Sequence, residues 1–322
     1  MHAIQIKQNG SADVLEYLEV PAPVPGTGEA LIAIESSGVN FIDVYFREGR
    51  YPTQLPFIPG QEAAGTVLAL GPDVTSVKIG DRVAWCGIRG TYAEQAVAPV
   101  SQLVRVPDGV TCDQAAAALL QGMTAHYLAH SAYPIRTDET VLIHAGAGGT
   151  GLLLTQIAKK RGARVITTVS TEEKAALSRA AGADEVILYT QHDFADEVRR
   201  LTHGEGLPVV YDSVGKTTFE QSLKCLKPRG MLVLFGGASG PVPPFDLIRL
   251  STMGSLFVTR PTLSHYIATR ADLEERANDV FAWIADGSLK LRIEHTYALK
   301  DAAQAQRDLE SRKTTGKLVL RP

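Results

Sequence analysis

A chain of 322 residues with 45% hydrophobic content is long enough for one large or two ordinary domains, each with a substantial core. Its formal net charge of -3 leaves no electrostatic footprint for a polyanion, and no stretch stays apolar for a membrane-spanning length. Nucleic acid and the bilayer are thereby excluded as primary partners. The three cysteines, Cys86, Cys112 and Cys225, lie far apart and lack the paired spacing of a structural zinc site.

The chain opens on Met1-His2-Ala3-Ile4-Gln5-Ile6, which alternates like a strand and lacks the basic start and apolar core of a secretory leader, so a cytoplasmic location is the expectation. Up to about Val106, short alternating stretches at 30–35, 64–70 and 82–85 are separated by Pro25-Gly26, Pro59-Gly60 and Gly71-Pro72, the texture of an antiparallel β-rich domain. From Cys112 the composition turns to strong helix formers through His130. After that, strands and helices alternate at the spacing of βαβ units to about Arg260.

The most informative stretch runs from Val141 to Gly151. An apolar run, Val141-Leu142-Ile143-His144, feeds Gly146-Ala147-Gly148-Gly149-Thr150-Gly151, the G-x-G-x-x-G pattern of a turn that offers backbone N–H groups to a pyrophosphate. Gly146 is expected to permit the tight turn, Gly148 the approach of the ligand, and Gly151 the packing of helix on strand. A helical pattern over 152–158 and a second strand, Arg164–Val169, complete a βαβ unit. Two later strands, 208–215 and 231–238, end in small residues, and ligands of parallel sheets sit beyond the carboxyl ends of strands, which draws Ser213 and Gly236 toward a bound cofactor. Beyond Leu263 the pattern predicts one long helix to about Gly287, then the apolar segment Leu291-Arg292-Ile293, a helix from about Lys300 to Glu310 and a last strand at 316–320 that rejoins the first domain.

This order of domains, together with Gly38-Val39-Asn40-Phe41-Ile42-Asp43-Val44-Tyr45, Pro59-Gly60-Gln61-Glu62-Ala63-Ala64-Gly65, the glycine loop, Val210-Tyr211-Asp212-Ser213-Val214-Gly215 and Ser255-Leu256-Phe257-Val258-Thr259-Arg260-Pro261, resembles the zeta-crystallin-type, NADPH-dependent quinone oxidoreductases of the medium-chain dehydrogenase/reductase superfamily. The resemblance implies an α/β architecture: a β-rich GroES-like catalytic domain (1–122), a Rossmann domain with a doubly wound parallel sheet for NADP (123–262), and a C-terminal segment (263–322) that returns to the catalytic domain. It also implies a homodimer joined through the nucleotide-binding domains, with the strand around Leu256-Phe257-Val258 suited to edge pairing. Zinc alcohol dehydrogenases of the same superfamily hold their catalytic metal with a cysteine where this chain has Asn40 and a histidine where it has Gln61. Amides are poor zinc ligands, so no metal is expected here.

Past the glycine loop the second strand ends in Thr168-Val169-Ser170-Thr171, without the Asp or Glu that normally accepts the ribose hydroxyls of NAD. Lys174 and the hydroxyl of Ser170 or Thr171 suit a 2′-phosphate, while Glu172 and Glu173 fit either the ribose or the capped first turn of a helix. NADP is favoured over NAD. The resemblance matches Lys174 and Tyr189 to positions at the adenosine phosphate end. The cofactor set is Asn40, Gly146, Ala147, Gly148, Gly149, Thr150, Gly151, Ser170, Lys174, Tyr189, Ser213, Phe235, Gly236 and Val258.

Without a metal or flavin signature, the chemistry left is direct hydride transfer from nicotinamide to an electron-poor acceptor, and a quinone needs only stacking, exclusion of water and a hydrogen bond to the developing phenolate. Asn40 and Tyr45 match positions lining the family's active site, and Tyr51 lies further along the same loop; these three form the catalytic set. Each has an ordinary alternative: Asn40 as a turn cap, Asp43 as a helix cap, Tyr51 as a residue of a surface loop before Pro52. Reduction of an alkenal or enone double bond is the nearest competing chemistry, and a non-catalytic, crystallin-like NADPH-binding protein is the alternative of another class. His126 and His130 fall four apart on a helix without a third ligand, His144 suits burial, and Arg260 is open to substrate, phosphate or a carboxylate.

Overall fold

Alternation in the N-terminal third is realised as strands: β1 (His2–Gln5), β2 (Glu16–Glu19), β3 (Glu29–Val39), β4 (Glu62–Leu70), β5 (Arg82–Cys86), β6 (Gln95–Pro99) and β7 (Val104–Arg105), interrupted by the short helix α1 (Phe41–Arg47) and by single 3-10 turns at Ala12–Val14 and Val100–Gln102. The computed structural model describes residues 1–322. They divide into a first unit, Met1–Met123 with Ile267–Pro322, and a second, Thr124–Tyr266.

Helix α2 (Cys112–Tyr127) runs into a π-helical turn over Leu128–Ala132. Then follow β8 (Thr140–His144), α3 (Gly149–Lys160), β9 (Arg164–Val169), α4 (Glu172–Ala180), β10 (Glu185–Leu188), α5 (Phe194–Leu201), β11 (Leu207–Asp212), α6 (Phe219–Lys224), β12 (Leu226–Leu234), α7 (Ile248–Thr252), β13 (Phe257–Thr259) and α8 (Leu263–Tyr266). Strands β8 to β13 form one parallel sheet in the order β10-β9-β8-β11-β12-β13, the doubly wound 3-2-1-4-5-6 arrangement whose direction reverses between β8 and β11. Leu142, Ile166, Val210 and Leu232 are fully buried on its central strands. Helices on both faces require such continuous apolar runs.

The chain ends with α9 (Arg270–Ala285), β14 (Ile293–Ala298), α10 (Ala302–Glu310) and β15 (Lys317–Arg321). Strand β15 lies antiparallel to β3, with Leu318 opposite Val39, and β14 pairs parallel to β15, so the tail adds two strands to the sheet of the first unit. The single long helix expected from Leu263 to Gly287 is in fact two. Thr269 is extended and its Oγ1 accepts from Asp272 N at 3.1 Å, a cap that starts α9 afresh. Strand β14 also extends well past the short apolar segment at 291–293 that marked it in the sequence. No helix is long and apolar enough to cross a membrane.

One side chain ties α1 to the tail. Arg47, only 1% exposed, donates to the Gly10 carbonyl (3.0 Å), to Gln306 Oε1 (2.6 Å) and through both terminal nitrogens to Glu310 (2.9 Å each). A buried guanidinium is tolerable only with its fork satisfied in this way.

Candidate active site

In the second unit the glycine loop takes its expected place at the carboxyl end of β8, but the left-handed residue of the turn is Ala145 (φ 53°), not Gly146. Gly146 serves close packing instead. A Cβ there would lie 2.6 Å from Thr167 Cβ on β9, and one on Gly151 would strike the Ala145 carbonyl. Gly148 is the N-cap of α3, so the backbone N–H groups of Gly149, Thr150 and Gly151 open the helix without intrahelical partners, and the helix dipole adds positive potential there. Ala147 is buried beneath the loop.

Strand pairing sets the rest of this edge. Val169 lies opposite Leu188, so Ser170 and Tyr189 emerge side by side just beyond the ends of β9 and β10; Thr190 Oγ1 donates to the Ser170 carbonyl at 3.0 Å. Thr171 caps α4 by accepting from Lys174 N (3.3 Å), which puts Lys174 in the first turn of that helix. Glu172 faces along the helix to Arg179 at 3.7 Å, both side chains being mostly exposed. The two acids thus belong to a capped first turn. Ser213 follows β11 directly, and Phe235 N and Gly236 N both donate to the Asp212 carbonyl (2.8 and 3.3 Å), which draws the ends of β11 and β12 together. Val258 stands apart from this group: it lies within the outer strand β13, level with Leu232.

Beneath the loop is a buried polar chain that sequence reasoning missed. His144 Nδ1 meets Thr168 Oγ1 (2.8 Å), His144 Nε2 meets Ser222 Oγ (3.0 Å), and Ser222 Oγ donates to Asp212 Oδ2 (3.0 Å). Asp212 also accepts from Val214 N, Gly215 N and Thr218 Oγ1. Burial holds the His144 imidazole below its ordinary pKa, so it is neutral and structural. The carboxyl ends of β8, β9 and β11 are joined through side chains.

In the first unit Asn40 caps α1 with its backbone: its N–H donates to Asp43 Oδ2 at 2.9 Å. Its side chain is occupied elsewhere. Nδ2 donates to Glu62 Oε2 (2.9 Å) and toward the Gly38 carbonyl (3.4 Å), while Oδ1 accepts from Lys317 Nζ (2.7 Å) and Gln121 Nε2 (3.4 Å). Lys317 Nζ lies 2.5 Å from Glu62 Oε2, and Leu120 N donates to Glu62 Oε1 at 2.6 Å. Because an ammonium can only donate, the atom facing Lys317 must be the amide oxygen, and this fixes the orientation of Asn40. A Cβ on Gly38 would strike both Glu62 and Lys317, so glycine is what lets the pair pack against β3.

Asp43 is also fully buried, its Oδ2 accepting from Tyr92 Oη (3.0 Å) as well as from Asn40, and burial pushes its carboxyl up to about 7. Tyr45, on α1, is buried; Tyr51 meets its ring edge-on at 5.6 Å and is 38% exposed, so the two tyrosines stand together with the Arg50 guanidinium 5.2 Å over Tyr45. Gln61 is 7% exposed, and its Nε2 is buried without a hydrogen-bond partner.

His126 and His130 stack at 4.3 Å, and His130 Nδ1 meets the His126 carbonyl, an arrangement of packing rather than chelation. Burial raises all three thiols, Cys112 and Cys225 to about 12, so none is a nucleophile at neutral pH. Arg260 Nη1 donates to the Leu234 carbonyl (3.1 Å) at the end of β12.

Two family models match the chain: the alcohol dehydrogenase GroES-like domain over residues 26–108, and a zinc-binding dehydrogenase domain over residues 149–285. The residues present do not fit zinc. Asn40 Oδ1 already faces the Lys317 ammonium, and nowhere do three His, Cys, Asp or Glu side chains come together to hold a metal ion. The quinone oxidoreductase of Pseudomonas aeruginosa is 47% identical, covering 99% of both chains, and the 2-haloacrylate reductase of a Burkholderia species is 40% identical, covering 99% of this chain and 98% of its own. The solved structure of Escherichia coli quinone oxidoreductase complexed with NADPH is 41% identical and superposes over the full length of both chains with a TM-score of 0.98. With this identity maintained end to end, the chain belongs to the zeta-crystallin-like quinone oxidoreductase family of the medium-chain dehydrogenases/reductases.

Proposed function

We propose that the chain is an NADPH-dependent quinone reductase that works without a metal. The observation that supports this is the end of β9: no Asp or Glu directly follows the strand, Glu172 turns to Arg179, and Ser170 and Tyr189 beyond the strand ends, with Lys174 in the first turn of α4, are a set suited to a 2′-phosphate. NADPH, when bound, supplies a hydride, which carries both electrons. The N-terminus of α3 would hold the pyrophosphate, and Ser213 with Phe235 and Gly236 would line the nicotinamide end. Tyr45 and Tyr51 would receive the quinone ring, and Asn40, locked by Lys317 and Glu62, would keep the wall of the site rigid. The family's reductase for a haloacrylate keeps alkene reduction as the second reading, since both reactions add hydride to a conjugated electrophile.

Following NADPH oxidation with 1,4-benzoquinone, a naphthoquinone and an enone, with NADH as control, tests the assignment. Quinone turnover with NADPH well ahead of NADH is expected; an inert response to every quinone would sink it. Lys174→Glu should raise the KM for NADPH on the order of 10- to 100-fold, the worth of a charge-assisted contact, and leave that for NADH nearly unchanged. An equal effect on both cofactors would remove Lys174 from the phosphate site.

The same reading includes a homodimer through the nucleotide-binding units and a cytoplasmic location. Strand β13 is the outermost of its sheet with Phe257 56% and Val258 37% exposed, an unpaired apolar edge of the kind that proteins cover. Phe257→Lys should shift the sedimenting species toward the monomer; an unchanged sedimentation coefficient would move the interface elsewhere. All three cysteines are free and buried, which suits a reducing compartment.

A further inference from the structure

The reduction of a quinone needs a hydrogen-bond donor at the carbonyl oxygen where negative charge develops. Asn40, the obvious amide, has no strong donor to spare: its nitrogen is held by the Glu62 carboxylate at 2.9 Å and turned toward the Gly38 carbonyl, and its oxygen is held by Lys317. The residue beside Glu62 is in the opposite condition. Gln61 is buried, yet its Nε2 meets no acceptor. An amide nitrogen carries two N–H groups and cannot escape the cost by losing a proton, so leaving it unpaired costs about 1–3 kcal/mol, which native structures rarely tolerate without a use.

The backbone around Gln61 is tightly fixed. Tyr92 N donates to the Pro59 carbonyl (3.0 Å), Gly90 N to Gly60 (3.0 Å) and Gly87 N to Gln61 itself (2.8 Å), and Tyr92 Oη in turn reaches Asp43 on the helix that carries Tyr45. On its other side Glu62 is anchored by Asn40, Lys317 and Leu120 N. A donor on such a frame is preorganised, the condition under which a hydrogen bond stabilises a transition state without reorganisation at the moment of reaction.

We propose that Gln61 is a catalytic residue, its Nε2 donating a hydrogen bond to the carbonyl oxygen of the quinone and to the phenolate that forms there. The inference rests on the quinone-reductase reading. In the balanced step, hydride leaves NADPH with both electrons to give NADP⁺ and the hydroquinone anion, which then takes one proton from water; Gln61 donates a hydrogen bond throughout and gives up no proton. An unpaired donor built for a substrate has a second signature. Replacing it with an apolar side chain of similar size removes the unsatisfied group, so the protein should gain stability as it loses turnover.

The experiment compares the full-length enzyme with Gln61→Leu. Expected are a fall in kcat for 1,4-benzoquinone on the order of 10- to 100-fold, an NADPH Kd from fluorescence titration that stays within about twofold, and a Tm equal to or above that of the wild type. Gln61→Glu, which sets a carboxylate against the developing phenolate, should lose more kcat than the leucine variant. Gln61→Met repeats the measurement if the leucine variant fails to fold. A variant as fast as the wild type would overturn the proposal, and so would a loss of kcat that only tracks a lowered Tm and weakened NADPH binding. Should the wild type itself reduce no quinone, the functional reading fails first, an outcome distinct from an active wild type with an equally active Gln61→Leu.

Discussion

Lys317→Met should lower the unfolding free energy by about 3–5 kcal/mol. The lysine is 2% exposed and its partner Glu62 not at all, and they approach to 2.5 Å. Removing the ammonium leaves a carboxylate with no countercharge in a dry interior, facing only the Asn40 amide and the Leu120 N–H. The Asn40 oxygen loses its stronger partner at the same time and is left with Gln121 at 3.4 Å. In contrast, the double variant Glu62→Gln/Lys317→Met buries no charge and should recover most of the loss. Equilibrium denaturation of the two variants beside the wild type checks this; a double variant no more stable than Lys317→Met would show that packing, not stranded charge, sets the cost. In turnover, Lys317→Met should also lower kcat, because the Asn40 oxygen then keeps only its longer contact with Gln121 and the amide is held less firmly.

What the chain declares locally and what it does not are separated by distance along the sequence. The glycine loop, the strand Arg164–Val169 and the Ser-Thr-Glu-Glu-Lys cap are contiguous signals, governed by turn chemistry, strand propensity and capping within a few residues, and each forms where its own sequence puts it. Even there, the left-handed position fell to Ala145 because Gly146 was needed for its missing side chain, a demand set by Thr167 on the neighbouring strand. Lys317 is different. It meets Asn40 after 277 residues, and a lone lysine opening a terminal strand carries no pattern that distinguishes it from a solvated one. The same holds for Arg47 with Glu310, and for Ser222, which joins His144 to Asp212 across three elements. Buried polar pairs of this kind are chosen by tertiary approach, so periodicity is silent about them. Of the site residues, those on strand ends and the helix cap were legible; the groups that fix their orientation were not.

Asp43→Asn should gain stability relative to the wild type as pH rises from 4 to 8, because the wild type alone carries a carboxyl that burial has pushed up to about 7. The hydrogen bonds from Asn40 N and Tyr92 Oη and the nearby Lys317 ammonium favour the charged form, but desolvation outweighs them. In the unfolded chain the same group titrates near 3.9. Between about pH 4 and 7 the folded protein therefore keeps a proton that the unfolded chain has released, so the Asp43 contribution to stability is fully present at the acid end, declines as pH rises and is flat above about 7. At about 1.4 kcal/mol for each pH unit of that window, the decline amounts to ~4 kcal/mol. Asparagine keeps an oxygen for the two donors and places an uncharged nitrogen where Oδ1 is now buried without a partner, and it does not titrate. Other carboxyls with depressed pKa values, such as Asp184 beside Lys159, change stability in the opposite sense but do so identically in both proteins. The difference between wild-type and Asp43→Asn denaturation curves across pH 4 to 8 isolates the single group. Two curves that run parallel would mean that Asp43 is ionised in the folded protein throughout, held by Tyr92 and Asn40 against the cost of burial.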